Sequence, residues 1–173
     1  MKPFPSPGAR RPRAPAASLA LERFAPYRLS VLANTVSRAI ARTYAERFDL
    51  TIPEWRVMAQ LGRHGRLAAS EIRGLTAMDK VRVSRAVARL VAAGRVRAEP
   101  DASDQRRQLL ALSAAGRRIH AAIVPLALER EAALLAPLDA AERATLDLLL
   151  EKLQRSASAL APAGAEAADG APD

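Results

Sequence analysis

The sequence contains no cysteine among its 173 residues. This absence excludes disulfide bonds, thiolate metal ligands and sensing by cysteine oxidation. Only two histidines are present, His64 and His120, and their separation does not match the spacing of a zinc site. We therefore expect neither a metal nor another cofactor. The GxSxG, Walker A and GxGxxG motifs are also missing, so we do not expect an enzyme.

Long apolar runs are absent as well, and none is sufficient to cross a bilayer. The first residues are basic but rich in proline, and they lack the apolar core of a secretory signal. The sequence thus predicts a cytoplasmic protein that has no membrane partner.

Aromatic residues are scarce, with one Trp, two Tyr and three Phe. Modules for RNA and single-stranded DNA usually stack bases on aromatic side chains, which disfavours those partners. Positive charge is abundant, because 27 Lys and Arg outnumber 18 Asp and Glu and give a net charge of +9. This balance favours an anionic partner, and double-stranded DNA, bound through charge and hydrogen bonds, fits best.

Composition divides the chain into three parts. Residues 1–18 are rich in Pro and Arg and contain no acid, so we predict a disordered basic arm. Residues 19–160 carry the periodic patterns of a single domain. Residues 161–173 are rich in Ala, Gly and acid, and we predict a disordered tail.

Apolar residues at steps of three and four predict a long first helix, from about Pro26 to Arg47. A second helix begins after Thr51, which forms a capping-box pattern with Glu54. A short third helix is predicted over about Ala69–Leu75.

A fourth helix is predicted to begin with Thr76 as its cap and Asp79 at its third position, and to run to about Ala93 with Gly94 as its C′ residue. The period then changes, and "VRAEP" and "QLLALS" indicate two short strands joined by "DASDQRR". Ser113 is expected to cap the next helix, which contains Pro125 and is predicted to kink there.

The last helix follows a second capping-box pattern at Asp139 and Glu142. A short helix, a tight turn, a second helix and a hairpin form the order of a winged helix-turn-helix. The predicted fold is mainly α with a small β wing. Its DNA-binding domain is expected at residues 50–113, between dimerisation helices at residues 19–49 and 114–160.

The fourth helix is amphipathic. An apolar stripe, expected to pack inward, consists of Val83, Val87, Leu90 and Val91. The residues expected to contact DNA fall largely outside that stripe: Lys80, Arg82, Ser84, Arg85 and Arg89. Arg can hydrogen-bond guanine at two positions, Ser can bind bases or phosphate, and Lys adds charge. The pattern alone fits a solvated basic face equally well.

The polar tip between the two strands carries Arg106 and Arg107 beside Asp104. Two guanidinium groups on such a tip suit the minor groove or its phosphates. An ordinary polar turn has a similar composition. The order of helix, Gly94, strand, arginine-bearing tip, strand and Ser-capped helix favours the DNA-binding interpretation.

From Leu50 to Gly116 the sequence resembles the MarR family of bacterial transcription regulators. Four segments carry the resemblance: "LTIPEWRVMAQLGRHG", "ASEI", "MDKVRVSRAVARLVAAGRV" and "DASDQRRQLLALSAAG". The family's wing signature, Asp-x-Arg followed by a strand ending in Leu-Thr and then Gly, maps to Asp104, Arg106, Leu112, Ser113 and Gly116. A looser resemblance covers the flanking helices, from about Leu19 to Leu160.

The resemblance implies a homodimer with interlocked terminal helices that binds a pseudo-palindromic operator. It implies that Arg106 enters the minor groove, that Asp104 holds this arginine, and that the fourth helix occupies the major groove. Family members usually repress transcription, and many release DNA when a small, often aromatic, anionic effector binds.

Four residues depart from the family pattern, and one of them, Ser113 in place of Thr, keeps the capping oxygen. Arg95 stands where Leu is usual, Ala98 where a basic residue is common, and Ala68 where Ser or Thr usually caps the short helix. We therefore expect that helix to begin less firmly. We expect Arg95 either to contact a phosphate or to extend outward from a less buried site.

Weak candidates for an effector site are Asn34, Arg38 and Trp55. Pairing within the dimer is the favoured interpretation of the first two, and a core position is favoured for Trp55. The alternative function belongs to a different class: a helical interaction or scaffold protein whose basic face meets acidic proteins or lipid.

Overall fold

The computed structural model describes residues 19–101 and 107–160. Those residues form six helices and three strands, in the order α1 Ala25–Phe48, α2 Ile52–His64, β1 Arg66–Ala68, α3 Ala69–Thr76, α4 Lys80–Ala92, β2 Val96–Pro100, β3 Gln108–Leu112, α5 Ala114–Leu135 and α6 Ala140–Leu160. The predicted fold class, mainly α with a small β wing, is confirmed. No helix in this part of the chain is sufficiently long and apolar to cross a membrane.

The chain divides into two units at Arg38 and Ala39. In the first unit, the opening turns of α1 expose large apolar side chains to solvent, among them Tyr27, Leu29 and Leu32. The second unit contains the rest of α1 and all the other helices and strands.

Reciprocal hydrogen bonds open two of the helices. The backbone N–H of Thr51 donates to Glu54 Oε2 at 2.8 Å, and the N–H of Glu54 donates to Thr51 Oγ1 at 3.4 Å. Asp139 and Glu142 make the same exchange at the start of α6, at 2.9 and 2.8 Å. These bonds satisfy N–H groups that have no partner within the helix, and both predicted capping boxes are confirmed.

The turn between α3 and α4 differs from the prediction. Thr76 ends α3, where its hydroxyl donates to the carbonyl of Ile72 at 2.6 Å. Asp79 is the N-cap of α4 and accepts from the N–H of Arg82 at 2.7 Å. Ala77, in the turn, has the left-handed φ of 50°. The predicted cap at Thr76 is therefore wrong, and so is the helical position assigned to Asp79.

The end of α4 is closed by two backbone hydrogen bonds. Gly94 has a φ of 65°, and its N–H donates to the carbonyl of Val91 at 2.9 Å. The N–H of Arg95 donates to the carbonyl of Leu90 at 2.8 Å. This pair of bonds is the Schellman arrangement, which favours glycine because of its positive φ. The predicted role of Gly94 is confirmed.

The wing belongs to a sheet of three strands, whereas the sequence predicted two. The described strands lie in the order β1-β3-β2 and are antiparallel. Ala111 of β3 pairs with Arg66 of β1 on one side and with Arg97 of β2 on the other. The prediction missed β1, which has only three residues.

A hydrophobic core unites α2, α4 and the sheet in the second unit. Its most deeply buried side chains are Tyr44, Val57, Met58, Leu61, Ile72, Val83, Leu90 and Ile123. Burial of one large apolar side chain contributes about 1.5–3 kcal/mol. Val83 and Leu90 therefore anchor α4 by one face and leave the opposite face open to a partner.

The start of α5 is joined to the end of α4 through Ser113. Its hydroxyl donates to the carbonyl of Gly94 at 2.7 Å and accepts from the N–H of Gly116 at 3.0 Å. Its own N–H donates to the carbonyl of Arg95 at 2.9 Å. The predicted cap at Ser113 is confirmed, and α5 continues as one helix through Pro125.

Candidate nucleic-acid interface

Helix α4 places its five candidate DNA-binding residues in three groups. All five are exposed, and successive residues turn by about 100° around a helix. Lys80 and Ser84 lie on one side of the buried stripe, and Arg82 and Arg89 lie on the other. Arg85 lies on the crest, opposite the stripe.

Arg82 and Arg89 each have an acidic partner within the protein. The Nε of Arg89 lies 2.8 Å from Glu54 Oε1, and the Nε of Arg82 lies 3.3 Å from Asp79 Oδ2. Glu54 is only 2% exposed, so Arg89 compensates a buried charge. Arg85, by contrast, has no acidic partner among residues 19–101 and 107–160.

The apolar stripe of α4 is narrower than predicted. Val83 and Leu90 are buried and Val87 is half-buried, but Val91 is 41% exposed. The prediction that Val91 packs inward is therefore wrong. Val81, which the sequence analysis did not select, is 54% exposed beside Arg85.

A cleft of about 610 Å³ lies beside α4, between α3 and β3. Lys80 and Ser84 line it from α4, Ser70 and Arg73 from α3, and Gln108 from β3. The last three were not predicted from the sequence. Ser70 and Arg73 could have been identified from their spacing, because residues three apart share a face of a helix.

At the base of the wing, Arg107 is held by α3. Its Nη2 lies 2.9 Å from Glu71 Oε2, which also accepts from the N–H of Ala68 at 2.6 Å. The bond from Ala68 lowers the pKa of Glu71, and Arg107 acts in the same direction. Glu71 thus caps a helix whose N-cap side chain has no oxygen. Asp104 and Arg106 lie outside the described residues.

Arg95 is half-buried and binds the protein itself. Its Nη1 donates to the backbone carbonyl of Asp49 at 2.9 Å. Asp49 follows α1 and has the left-handed φ of 45°. The arginine that replaces the family's usual leucine thus fixes the connection between α1 and α2.

The three weak effector candidates have different environments. The half-buried Trp55 lies against Tyr44, with ring centroids 5.6 Å apart, and stacks on His120 at 5.7 Å. Burial raises the pKa of Tyr44 to about 12, against the opposing effect of Arg56, and lowers the pKa of His120. Asn34 and Arg38 are exposed on α1, in the first unit.

The last helix presents an extensive apolar surface. No residue of α6 is buried. Its large apolar residues that are exposed to solvent are Leu148, Leu149, Leu150, Leu153 and Leu160. Contiguous apolar surface of this kind is typical of a protein-protein contact.

Comparisons with known proteins identify relatives of the chain. The sequence profile of the MarR family matches residues 48–107. The structure is similar to that of a MarR/EmrR family transcriptional regulator from Acinetobacter sp. ADP1, with 26% identity, a TM-score of 0.75 and coverage of 81% of this chain and 99% of that one. No curated protein matches the chain.

Two further solved structures are similar to this one. A probable transcriptional regulator from Pseudomonas aeruginosa is 30% identical, with a TM-score of 0.63 and coverage of 77% of this chain and 98% of that one. A mutant of MarR from E. coli, solved in complex with operator DNA, is 25% identical, with a TM-score of 0.68 and coverage of 79% and 99%.

Proposed function

The chain belongs to the MarR family of transcriptional regulators, and we propose that it is a homodimeric, cytoplasmic repressor that binds a pseudo-palindromic operator in double-stranded DNA. One observation carries the proposal: α4 is anchored by Val83 and Leu90, while Arg85 on the opposite crest has no acidic partner in the described residues. In this proposal residues 50–113 bind DNA, and residues 19–49 and 114–160 form the dimer.

The polar residues of α4 have separate tasks in this proposal. Arg85 hydrogen-bonds a base in the major groove, and Lys80 and Ser84 bind a phosphate or a base from the side of the cleft. The exposed Val81 suits contact with a thymine methyl group. Arg82 and Arg89, which already contact acids, support the helix and contribute positive charge near the DNA.

The wing has two tasks. Arg106 enters the minor groove from the tip, and Asp104 holds its guanidinium group. Arg107 fixes the base of the wing through its ion pair with Glu71. This division is supported by the contact of Arg107 with Glu71 of α3, which engages its guanidinium group.

The terminal helices support the proposed dimer. The exposed leucines of α6, together with Tyr27, Leu29 and Leu32 at the start of α1, form apolar surfaces that a second copy of the chain would cover. Two copies of α4, related by the twofold axis of the dimer, would contact DNA half-sites about one helical turn apart.

We also propose that a small anionic effector binds the repressor and causes it to release DNA. Asn34, Arg38 and Trp55 remain weak candidates for effector contacts. Pairing within the dimer is still the favoured role of Asn34 and Arg38, both exposed on α1.

Gel retardation with the DNA upstream of the gene tests the function. We expect a retarded complex that survives excess unrelated DNA and that weakens steeply with salt, because bound phosphates release counterions. The change Arg85→Ala should cost about 1–3 kcal/mol and relax the sequence preference, and Arg106→Ala should weaken binding. Arg130→Ala, at an exposed position on α5, is the matched control.

Two results would contradict the proposal. If unrelated DNA removes the complex, the basic face is non-specific, and the interaction or scaffold function gains support. If Arg85→Ala and Arg106→Ala bind as the parent does, the assigned contacts are wrong. The mass in solution, expected to be twice the 18.5 kDa of one chain, tests the dimer separately.

A further inference from the structure

One row of side chains along α4 combines a single cation with small apolar groups. Val81 and Arg85 are four residues apart, and Ala88 and Ala92 follow one and two turns further along the helix. Since successive residues turn by about 100°, the four lie within about 60° of one another, opposite the buried face. All four are exposed. Three of them are small, so the helix can approach a partner closely along this row, and Arg85 is its one long side chain.

Val81 lies outside the hydrophobic core, and it is not a residue that favours the helix. Its side chain is 54% exposed. A valine loses more side-chain freedom in a helix than alanine or leucine would. The same β-branching holds its two γ-methyl groups in one preferred rotamer. Val81 therefore presents a rigid apolar surface to whatever the first turn of α4 contacts.

Arg85 is the neighbour of Val81 on the next turn. Residues four apart on a helix have Cβ atoms about 5–6 Å apart, and long side chains lean towards the N-terminus of the helix. Arg85 has no acidic partner among residues 19–101 and 107–160 that would hold it elsewhere. We therefore expect its guanidinium group to lie beside the methyl groups of Val81 when both contact one partner.

The acid that caps α4 is already engaged. Asp79 Oδ1 accepts from the N–H of Arg82 at 2.7 Å, and Asp79 Oδ2 lies 3.3 Å from the Nε of Arg82. In the major groove, a carboxylate is the side-chain group that accepts from the amino group of cytosine. Since each oxygen already has a donor, Asp79 is a poor acceptor for that group. The group left to identify a pyrimidine at the start of α4 is the apolar surface of Val81.

We propose that Val81 and Arg85 together recognise a 5-methylpyrimidine followed by guanine on one strand of the operator, so that binding responds to methylation of cytosine at C5. Arg85 donates to O6 and N7 of the guanine, and Val81 contacts the methyl group of the preceding base. Adjacent bases of one strand are about 3.4 Å apart, within reach of side chains on successive turns. Thymine and 5-methylcytosine carry the same methyl group, so TG and methylated CG are equivalent here. This inference rests on the proposed DNA-binding function.

Selection from random duplexes identifies the preferred half-site without the natural operator. The full chain is incubated with a pool of about 30 random base pairs, sufficient for two half-sites about one helical turn apart. We expect each enriched half-site to contain a TG step. Fluorescence anisotropy of the selected duplex, labelled with fluorescein, then measures the affinity of its modified forms at constant salt.

Three modified bases isolate the groups that are recognised. Uracil in place of the thymine of the TG step removes only the methyl group and should weaken binding about fourfold for each half-site. When a cytosine-guanine pair replaces the thymine-adenine pair, methylation of that cytosine at C5 should strengthen binding by the same factor, about fourfold. Replacing the guanine by 7-deazaguanine, which lacks the N7 acceptor, should weaken binding about tenfold.

Matched variants assign these effects to side chains. Val81→Ala should reduce both methyl effects to less than about twofold, and Val81→Thr, which keeps one γ-methyl group, should retain a preference for the methylated bases. Val91→Ala is the control, because Val91 is also exposed but lies about 80° away around the helix, in its last turn. It should show the methyl effects of the parent. Arg85→Ala should bind the guanine and 7-deazaguanine duplexes equally.

The proposal is overturned if the enriched half-site has no TG step, if thymine and uracil bind alike, or if Val81→Ala keeps the full methyl effects. Each of these results leaves the proposed DNA-binding function standing, because the same assay has then shown sequence-specific binding. If no sequence is enriched over unrelated DNA, both the function and this inference are overturned. Circular dichroism of each variant establishes that it is folded.

Discussion

Arg89 and Glu54 form an ion pair in which only the acid is buried. The Arg89 side chain is 62% exposed and the Glu54 side chain 3%, with 2.8 Å between the Nε and Oε1 atoms. The other carboxylate oxygen of Glu54 accepts from the N–H of Thr51. A single carboxylate therefore closes the start of α2 and fixes the middle of α4.

Removal of Arg89 should destabilise the protein. We expect Arg89→Gln to lower the free energy of unfolding by about 1–3 kcal/mol, because it leaves a buried carboxylate without its charged donor. Glu54→Gln should cost less, since glutamine can still accept from the N–H of Thr51. Urea unfolding at fixed protein concentration measures both.

The matched control for Arg89 is Arg82→Gln. Arg82 and its partner Asp79 are both exposed, so this change should cost less than about 1 kcal/mol. The double variant Glu54→Gln/Arg89→Gln should cost less than the sum of its parts, because it leaves no unpaired charge. Additive costs would show that the two side chains do not interact.

Glu71 should make the free energy of unfolding depend on pH in the acid range. Its folded pKa is lowered, first by the N–H of Ala68 and then by Arg107. Its contribution is therefore complete above the unfolded pKa near 4.5 and is lost as the pH falls through the lower folded value. Glu71→Gln should cost about 0.5–1 kcal/mol at neutral pH.

Thermal unfolding of the parent and of Glu71→Gln at several pH values tests this sign. The difference between them should narrow as the pH decreases below about 4.5. Arg107→Gln, which removes only the ion pair, should show a smaller effect in the same direction. A difference that widens in acid would contradict the assigned contacts.

Two glycines should respond differently to alanine. At Gly116 an added Cβ would overlap the backbone carbonyl oxygen of Arg95, which is fixed by its bond to the N–H of Ser113. At Gly62 the overlap is with the side chain of His120. We expect Gly116→Ala to cost about 2–3 kcal/mol or more, because backbone must move.

The effect of Gly62→Ala on the free energy of unfolding should change sign when His120 is replaced by alanine. In the parent it is destabilising, because the ring of His120 must leave Trp55. In a His120→Ala background the same change should stabilise by up to about 1 kcal/mol, the ordinary advantage of Ala over Gly within a helix. Urea unfolding of the parent, of Gly62→Ala, of His120→Ala and of the double variant measures the effect in both backgrounds. An equal cost in both backgrounds would exclude the predicted overlap.

His120 should reduce stability in mild acid. Burial lowers its pKa, so the unfolded chain accepts a proton more readily than the folded one. Stability is therefore lost as the pH falls below the unfolded value of about 6.5, and the loss ends below the folded value. His120→Phe keeps a ring against Trp55 and should remove this dependence. The difference in the free energy of unfolding between this variant and the parent should grow as the pH falls from about 7 to about 5.

The advantage of His120→Phe should stop growing once the pH lies below the lowered folded pKa of His120. Urea unfolding at each pH provides the measurement. A parallel pH dependence in the parent and the variant would assign the titration to another group.

Local patterns predicted most of the helix ends. Thr51 with Glu54 and Asp139 with Glu142 form capping boxes that need only four consecutive residues, and Gly94 supplies a positive φ that few residues adopt. The N-cap prediction at Thr76 is wrong because both Thr76 and Asp79 are residue types that cap helices, and Asp79 takes that position. The hydroxyl of Thr76 instead bonds back into α3, and the left-handed Ala77 creates the turn.

Non-local contacts were beyond the reach of sequence patterns. Strand β1 has three residues and pairs with a strand more than 40 positions away, so no local period reveals it. The acidic partner of Arg89 is Glu54, which lies on another helix. The pattern of α4 alone therefore predicted Arg89 as a DNA contact and did not reveal this ion pair. The cleft residue Gln108 comes from a strand that only the tertiary fold brings beside α3 and α4, whereas the spacing of Ser70 and Arg73 already places both on one face of α3.

Ser113 has a mechanical consequence. Its three hydrogen bonds join Gly94 and Arg95, which directly follow α4, to the first turn of α5. Because these bonds couple the two helices, we expect a rotation of α5 to move α4 with it. In the proposed dimer, the distance between the two copies of α4 would then depend on the angle between the two copies of α5. A change in that angle would alter the spacing of these two helices relative to the half-sites of the proposed operator.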